Sequence, residues 1–278
     1  MYIQETEIVS EISASIVCYN SNADTLRKAI GSVLNVPLNI VLYIIDNSFE
    51  DSLQEKLSNF NIIYIHNPAN PGFGAGHNQA IKLAMDSKSK YHFVINPDTY
   101  FDIDIISPMI KFMANNNDVG MMMPEILYPD GTLQYLPKLL PHPFWILRRK
   151  LRNFAWLNDD FIDKYELRNF ASNKVYNSPL LSGCFTLLNL KAIEDVGAYD
   201  EKFFMYFEDF DLSRRMHKWY KTIYFPEVFV YHEYDSGASK SWRLFKIFIT
   251  SAVIYFGKWG WFFDDERKLF NRKALEQF

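Results

Sequence analysis

The chain has 278 residues, a formal net charge of −4 and two cysteines, Cys18 and Cys184, far apart in apolar runs. At 49% hydrophobic and 22% charged residues it is globular and not disordered, with length for one sizeable α/β domain, alone or with an appendage. The acidic balance argues against general nucleic-acid binding, and the cysteines read as buried thiols of a reducing compartment, with no zinc-ligand spacing.

Residues 1–11 carry acids and no continuous apolar core, so no signal peptide is expected. No uncharged apolar run approaches the ~18 residues of a membrane span, and the protein is expected on the cytoplasmic side. From there the chain alternates. Ser13–Tyr19 reads as a strand, Ala23–Leu34 as a helix, Ile40–Ile45 as a strand ending in Asp46-Asn47-Ser48, and Asp51–Phe60 as helical. Asn61–Ile65 is a third strand, Ala75–Met85 a helix entered through a glycine-rich turn, and Tyr91–Ile95 a strand ending in Asn96-Pro97-Asp98. Such alternation predicts a mainly parallel sheet flanked by helices, a Rossmann-like α/β fold. Ligands of such sheets sit beyond the strands' carboxyl ends, where Asn20, Asp46 and Asp98 fall. After Val119–Leu127 the alternation stops. Residues 138–173, with Pro141-His142-Pro143 and Arg148-Arg149-Lys150-Leu151-Arg152, read as a mobile excursion facing a partner. Ser178–Leu190 returns to strand, and Thr222–Tyr231 is another strand before His232.

Three segments carry candidate chemistry. Asn70 to Asn78 holds Gly72, Gly74 and Gly76 at the entry of a helix, where backbone can approach a ligand, yet it lacks the Lys-Ser/Thr of a P-loop. Asp98, in its Asn-Pro-Asp turn, is a candidate ligand for a hard divalent cation that also holds a diphosphate, with a helix or turn cap as the plain alternative. His232 is the candidate second ligand. Phe207 to Arg215 packs Glu208, Asp209 and Asp211 between aromatics and two arginines. On a helix Glu208 and Asp211 share a face, Arg215 lies one turn beyond Asp211, and Asp209 points about 100° away. A carboxylate held among rings is partly desolvated, which raises its proton affinity and suits it to general-base work.

Together these pieces resemble the family-2 inverting nucleotide-sugar glycosyltransferases of GT-A fold, and within them the rhamnosyltransferase-type enzymes of O-antigen and other bacterial surface polysaccharides. The match runs in order through Cys18-Tyr19-Asn20, Asp46-Asn47-Ser48, Asn70 to Asn78, Asn96-Pro97-Asp98, Ser182-Gly183, Val196 to Glu201, Glu208 to Leu212 and His232. The resemblance implies donor contacts from Tyr19, Asn20, Asp46, Asn47, the Gly72–Asn78 turn and Asp98. It implies Mg²⁺ or Mn²⁺ on Asp98 and His232, and Asp209 as the catalytic base. Ser182, Gly183, Glu208 and Asp211 would lie on the acceptor side, Glu208 and Asp211 orienting the acceptor or holding Arg214 and Arg215. Asn96 stands where many relatives carry a second carboxylate, which bears on metal dependence. The implied reaction moves a sugar, best matched as L-rhamnose from its dTDP donor or else a UDP-hexose, to a glycan or polyprenyl-linked saccharide. A non-catalytic carbohydrate-binding subunit and a nucleotidyltransferase are the rival classes. Asp209 and His232 speak against the first, and the position of the glycine turn, with no Lys or Arg in it, against the second. Residues 236–278 are expected to form a C-terminal helical segment. Between Trp242 and Phe263 it mixes aromatics with Arg243, Lys246 and Lys258, a pattern suited to peripheral contact with a bilayer or to packing on the core.

Overall fold

Residues 13 and 15 are serines in an otherwise apolar strand, and their hydroxyls explain how it can be buried along its whole length. In the computed structural model, which describes residues 11–150, 160–168, 170, 173–233 and 241–278 (side chains of 147, 149, 150 and 161 excepted), β1 (Ile12–Cys18) is buried at every position. Ser13 Oγ lies 2.8 Å from His92 Nδ1, and Ser15 Oγ lies 2.7 Å from both His92 Nε2 and His77 Nδ1, so both hydroxyls and the His92 ring are satisfied internally, while His77 Nε2 is buried without a partner. α1 (Ala23–Leu34) starts where Asn22 accepts from the Asp24 and Thr25 amides, an N-cap, and it buries Leu26, Ala29, Ile30 and Val33 at helical spacing.

β2 (Ile40–Asp46), β3 (Ile63–His66), α2 (Phe73–Asp86) and β4 (Tyr91–Ile95) complete the alternating half. β5 (Thr99–Tyr100), α3 (Ile106–Asn115) and β6 (Val119–Leu127) follow, then α4 (Pro143–Lys150), α5 (Asp160–Tyr165), β7 (Tyr176–Asn177) and β8 (Phe185–Asn189). The chain closes with α6 (Leu190–Val196), α7 (Glu208–Trp219), β9 (Lys221–His232), α8 (Trp242–Trp259) and α9 (Asp265–Leu275).

The sheet order is β3-β2-β1-β4-β8-β6-β9-β5, with β7 also on β9. The expectation of a mainly parallel sheet holds for β3, β2, β1 and β4 and fails beyond them. β8 runs antiparallel to both β4 and β6, β5 and β7 run antiparallel to β9, and only β6 and β9 add a parallel pair. Parallel pairing follows from helical crossovers, and β8 comes instead after a long connection that is under no such constraint.

Two further expectations are corrected. Residues 51–60 form only one short 3₁₀ turn, Glu55–Leu57, although Asp51 accepts the Gln54 amide as a helix cap would. α2 begins inside the glycine segment, so Gly74 and Gly76 belong to its first turn. The 138–173 excursion is anchored at both flanks: Leu139, Leu140, Ile162 and Tyr165 are buried, and Lys138 bridges to Leu180. Residues 151–159, with part of the basic run, lie outside the described residues. α8 packs on the domain, with Ala252, Tyr255 and Phe256 buried against Phe203 and Phe207, and α9 seats Phe270 beside Leu140 and Leu180.

Candidate active site

The carboxyl ends of β1, β2 and β4 meet at one edge. Cys18 pairs with Asp46 across β1 and β2, and Ile16 with Ile95 across β1 and β4, which brings Tyr19 and Asn20 beside the Asn96-Pro97-Asp98 turn. Tyr19 and Asn20 are exposed there, Asn20 in left-handed backbone (φ 50°) with its amide on Ser48 Oγ at 2.8 Å. Asn96 donates its amide to the Cys184 carbonyl at 2.8 Å, so the Asp98 turn abuts the Ser182-Gly183-Cys184 entry of β8. On the other side of that entry, the Gly183 amide donates to Asp209 Oδ2 at 3.2 Å. Asp98 and Asp209 thus flank Gly183 and Cys184, close enough that both charges help to push the buried Cys184 thiol up to about 12, behind desolvation as the main cause.

Asp98 is partly exposed, but its Oδ1 is buried and accepts no hydrogen bond; His232 Nε2 lies 3.4 Å from it. Register places the two residues together, since Thr99 pairs with His232 across β5 and β9. The His232 ring is held from behind by Gln134, whose Oε1 is 3.0 Å from Nδ1.

Asp209 is presented by the first turn of α7. Tyr206 and Phe207, just before it, both adopt left-handed backbone (φ 70° and 67°), a sparsely populated conformation that turns the chain sharply into the helix. The surrounding fold fixes this turn: Phe207 is buried among Phe210, Phe248, Tyr255 and Phe256. Burial raises the Asp209 carboxyl from 3.8 to about 6, against the pull of amide hydrogen bonds from Gly183 and Phe210. Glu208 is buried too, with one oxygen unpartnered, and desolvation followed by the Asp209 charge moves it well above the usual carboxylate range. Both neighbours are thus pushed toward the protonated form and titrate as a pair, with Glu208 moved further than Asp209.

A model of glycosyl transferase family 2 matches residues 13–197, well over half of the chain. The protein belongs to glycosyl transferase family 2. The chain is 25% identical over 183 residues to an N-acetylglucosaminyl-diphospho-decaprenol L-rhamnosyltransferase of Mycobacterium tuberculosis, covering 62% of this chain and 59% of the relative. It is 24% identical over 225 residues to the low-salt glycan biosynthesis hexosyltransferase Agl10 of Haloferax volcanii, covering 77% and 63%. Among solved structures it resembles GalNAc-T7 with UDP, GalNAc and Mn²⁺ (TM-score 0.61, 16% identity, 84% of this chain and 44% of that one). It also resembles a mannosyltransferase of Pyrobaculum calidifontis in complex with GDP-Man and Mn²⁺ (TM-score 0.57, 13% identity, 84% and 60%). These likenesses carry the GT-A fold, and the chain spans less than two thirds of the length of each of these four relatives.

Within this family 2 domain several residues expected at the ligand also brace the fold. Asp46, expected on the donor base, is fully buried, with Oδ1 taking the Ser48 amide at 2.9 Å and Oδ2 the Tyr64 hydroxyl at 2.7 Å. Asn47 is buried and donates to the Gly72 carbonyl at 3.3 Å. Asn78 donates to the Tyr199 carbonyl and accepts from its amide, at 2.9 and 3.0 Å, so both ends of its side chain are used by protein. The glycines make room for protein as well. A Cβ on Gly72 would stand 2.2 Å from the Phe204 carbonyl oxygen, one on Gly74 2.9 Å from Tyr199, and one on Gly76 2.9 Å from Val17.

Asp211 is committed to partners within the protein. It is wholly buried and takes Arg215 Nε, Trp259 Nε1 and Lys258 Nζ, each at 2.8 Å. Arg215 then donates to the carbonyls of Val196, Gly197 and Ala198, which ties the Val196–Tyr199 segment to α7. Arg214, expected on Glu208 or Asp211, pairs instead with Asp264 and Glu266. The surface that remains open combines Tyr19, Asn20, Asn96, Asp98, Ser182 and Asp209. Gln134 and Asp264 carry no motif and were not singled out in the sequence. Only their long-range partners give them a role.

Proposed function

We propose that this domain is an inverting glycosyltransferase in which Asp209 is the general base and Asp98 and His232 lie on the leaving-group side. The observation that carries this is the placement of Asp98 and Asp209 on opposite sides of the Gly183–Cys184 entry, with Asp209 held near a pKa of about 6. A carboxylate of that basicity is ionised at neutral pH and still accepts a proton readily. It takes the proton of an acceptor hydroxyl as that oxygen attacks the anomeric carbon; the bond to the nucleoside diphosphate breaks on the opposite face and the configuration inverts.

The residues present fit a divalent cation. Asp98 offers a buried oxygen without a hydrogen-bond donor, His232 offers a ring nitrogen 3.4 Å from it, and such ions take their remaining oxygens from a diphosphate. Mg²⁺ or Mn²⁺ held there would offset the charge that develops on the departing diphosphate. Asn96, in place of a carboxylate, leaves this set with one negative charge and a lower intrinsic affinity. No group of three or more His, Cys, Asp or Glu side chains is gathered for a metal among the described residues.

For the finer assignment, we assign L-rhamnose with dTDP as its carrier; the sugar and a lipid-linked saccharide acceptor are supported by the likeness to the mycobacterial L-rhamnosyltransferase, whose name specifies a diphospho-decaprenol acceptor. An exposed face of α8 suits that acceptor: Trp242, Arg243, Lys246, Ile249 and Val253 recur at helical spacing and are all exposed. Aromatic and aliphatic side chains beside cations match an anionic bilayer surface. Among the described residues no helix is long and apolar enough to cross a membrane. The expected place is the inner face of the cytoplasmic membrane, with involvement in cell-surface polysaccharide synthesis.

The test is transfer from a panel of nucleotide sugars, dTDP-L-rhamnose first, with the anomeric configuration of the product read by NMR. Inversion with loss of activity in Asp209→Asn supports the reading. Retention, or neither transfer nor donor hydrolysis from any nucleotide sugar, would overturn it.

A further inference from the structure

The Gln134 side chain settles which nitrogen of His232 carries hydrogen. Gln134 lies on the strand-like segment after β6, almost fully buried, with its backbone amide on the Ile126 carbonyl at 2.8 Å. Its Nε2 stands 2.8 Å from the His232 carbonyl oxygen and 3.3 Å from the Leu127 carbonyl oxygen. Both of those atoms can only accept, so the NH₂ end of the amide must face them; the flipped amide would oppose oxygen to oxygen twice. Oε1 is therefore the atom 3.0 Å from His232 Nδ1, and since an amide oxygen only accepts, Nδ1 must donate. One side chain thus grips both the backbone and the ring of the same histidine.

In a neutral imidazole with hydrogen on Nδ1, Nε2 carries the lone pair. Nε2 is the nitrogen turned to the substrate side, 3.4 Å from Asp98 Oδ1 and 3.5 Å from the Asn96 amide nitrogen. The Asn96 amide nitrogen is a donor, which suits an accepting Nε2. Asp98 Oδ1 has no hydrogen bond of its own.

We infer that Gln134 is a positioning residue that fixes His232 as the Nδ1–H tautomer and so turns the Nε2 lone pair toward a divalent cation shared with Asp98. The cation rests on the function proposed above; the tautomer rests only on the hydrogen bonds. An outer partner of this kind sets ring orientation as well as tautomer, and its loss typically weakens metal binding by ~10- to 100-fold.

Two measurements on the whole chain test it. The first uses metal-free protein at pH 8 with ¹⁵N-labelled histidine. His232, identified by its loss in His232→Gln, is expected to show a protonated Nδ1 and an unprotonated Nε2, and the reverse tautomer overturns the inference whatever the enzyme does. The second follows Mn²⁺ binding in the presence of dTDP by electron paramagnetic resonance. Gln134→Leu, close in size but without donor or acceptor, is expected to bind Mn²⁺ ~10- to 100-fold more weakly, and Gln134→Glu, which keeps an oxygen facing Nδ1, to recover part of that loss. Wild-type affinity in Gln134→Leu overturns the inference. Wild-type protein that transfers sugar but binds no Mn²⁺ overturns its cation half and leaves the glycosyltransferase assignment standing. If Gln134→Leu does not fold, the tautomer in the wild-type protein and the affinity of Gln134→Glu still decide.

Discussion

The Gly183 amide points at Asp209 Oδ2 from 3.2 Å, while the Phe210 amide holds Oδ1 at 2.9 Å. Both bonds favour the ionised carboxylate, burial opposes it, and the balance near 6 falls where a base is useful. The entry of β8 therefore tunes the group that α7 presents.

The acid limb of kcat/KM is expected near pH 6, with activity falling tenfold per pH unit below it, because only ionised Asp209 accepts the acceptor's proton. Desolvation and the Asp209 charge push Glu208 well above the usual carboxylate range, so Glu208→Gln should leave the limb within about half a unit of its place. A downward shift of a full unit or more would show that Glu208 carries charge beside Asp209.

Asp209→Asn should lower transfer by about 10²- to 10⁴-fold and leave donor affinity nearly unchanged. It should also stabilise the protein. The folded Asp209 pKa is raised from 3.8 to about 6, so its contribution to stability is full below the unfolded value and is lost as pH rises through about 6. At pH 7.5 the amide avoids that loss, by about 1 to 3 kcal/mol after allowance for its partial exposure. Urea unfolding of the two proteins at pH 7.5 checks this, and a variant less stable than wild type would contradict it.

His77 and His92 behave oppositely. Burial lowers His92 to about 3 and His77 well below its usual value. Their stabilising contribution is present above the unfolded value of about 6.5 and is lost as pH falls below it, by up to about 1.4 kcal/mol per unit for each. In the wild type the Glu208–Asp209 pair partly masks this loss. In the double variant Glu208→Gln/Asp209→Asn the slope should emerge, with unfolding free energy dropping between pH 6.5 and 5. A flat profile there would mean that the histidines are not buried neutral.

Asp264→Ala should destabilise the protein by about 3 to 5 kcal/mol in urea unfolding, because it strands a buried guanidinium. Arg214 donates to Asp264 at 2.7 and 2.6 Å, and both side chains are nearly inaccessible. Glu266, 3.0 Å from Arg214, is 26% exposed to water and replaces little of this. A loss under about 1 kcal/mol would show that Glu266 suffices.

Sedimentation with anionic vesicles tests the α8 face. Binding should weaken with salt and be lost in Trp242→Ala/Arg243→Gln/Lys246→Gln, while neutral vesicles bind little. Trp259 and Lys258, which the aromatic pattern also offered, are already committed to Asp211, and Lys258 to Asp200 as well. Equal binding by the triple variant would move the contact elsewhere.

What was legible in the sequence is what local rules determine. Asn22 caps α1, and the bounds of α1, β4 and β6 follow from apolar spacing and turn residues. Asp209 stood out because its neighbours in sequence are also its neighbours in space. Strand direction beyond β4 was not legible, since nothing local tells β8 to pair antiparallel across a gap of some ninety residues. The three glycines were visible as a special place, but only packing reveals that Phe204, Tyr199 and Val17 fill the space they leave. Gln134 is an ordinary glutamine until His232, 98 residues away, is set against it.

The Arg214–Asp264 pair also orders events in time. The two residues are 50 positions apart, and a ribosome delivers α7 before α9. Until Asp264 emerges, the helix that carries Asp209 holds a guanidinium whose buried partner does not yet exist, so α7 can pack through Leu212 and Met216 but cannot complete its seat. The final seat of α7 is then fixed late in synthesis, and a chain broken off before Asp264 would carry Arg214 without its buried partner.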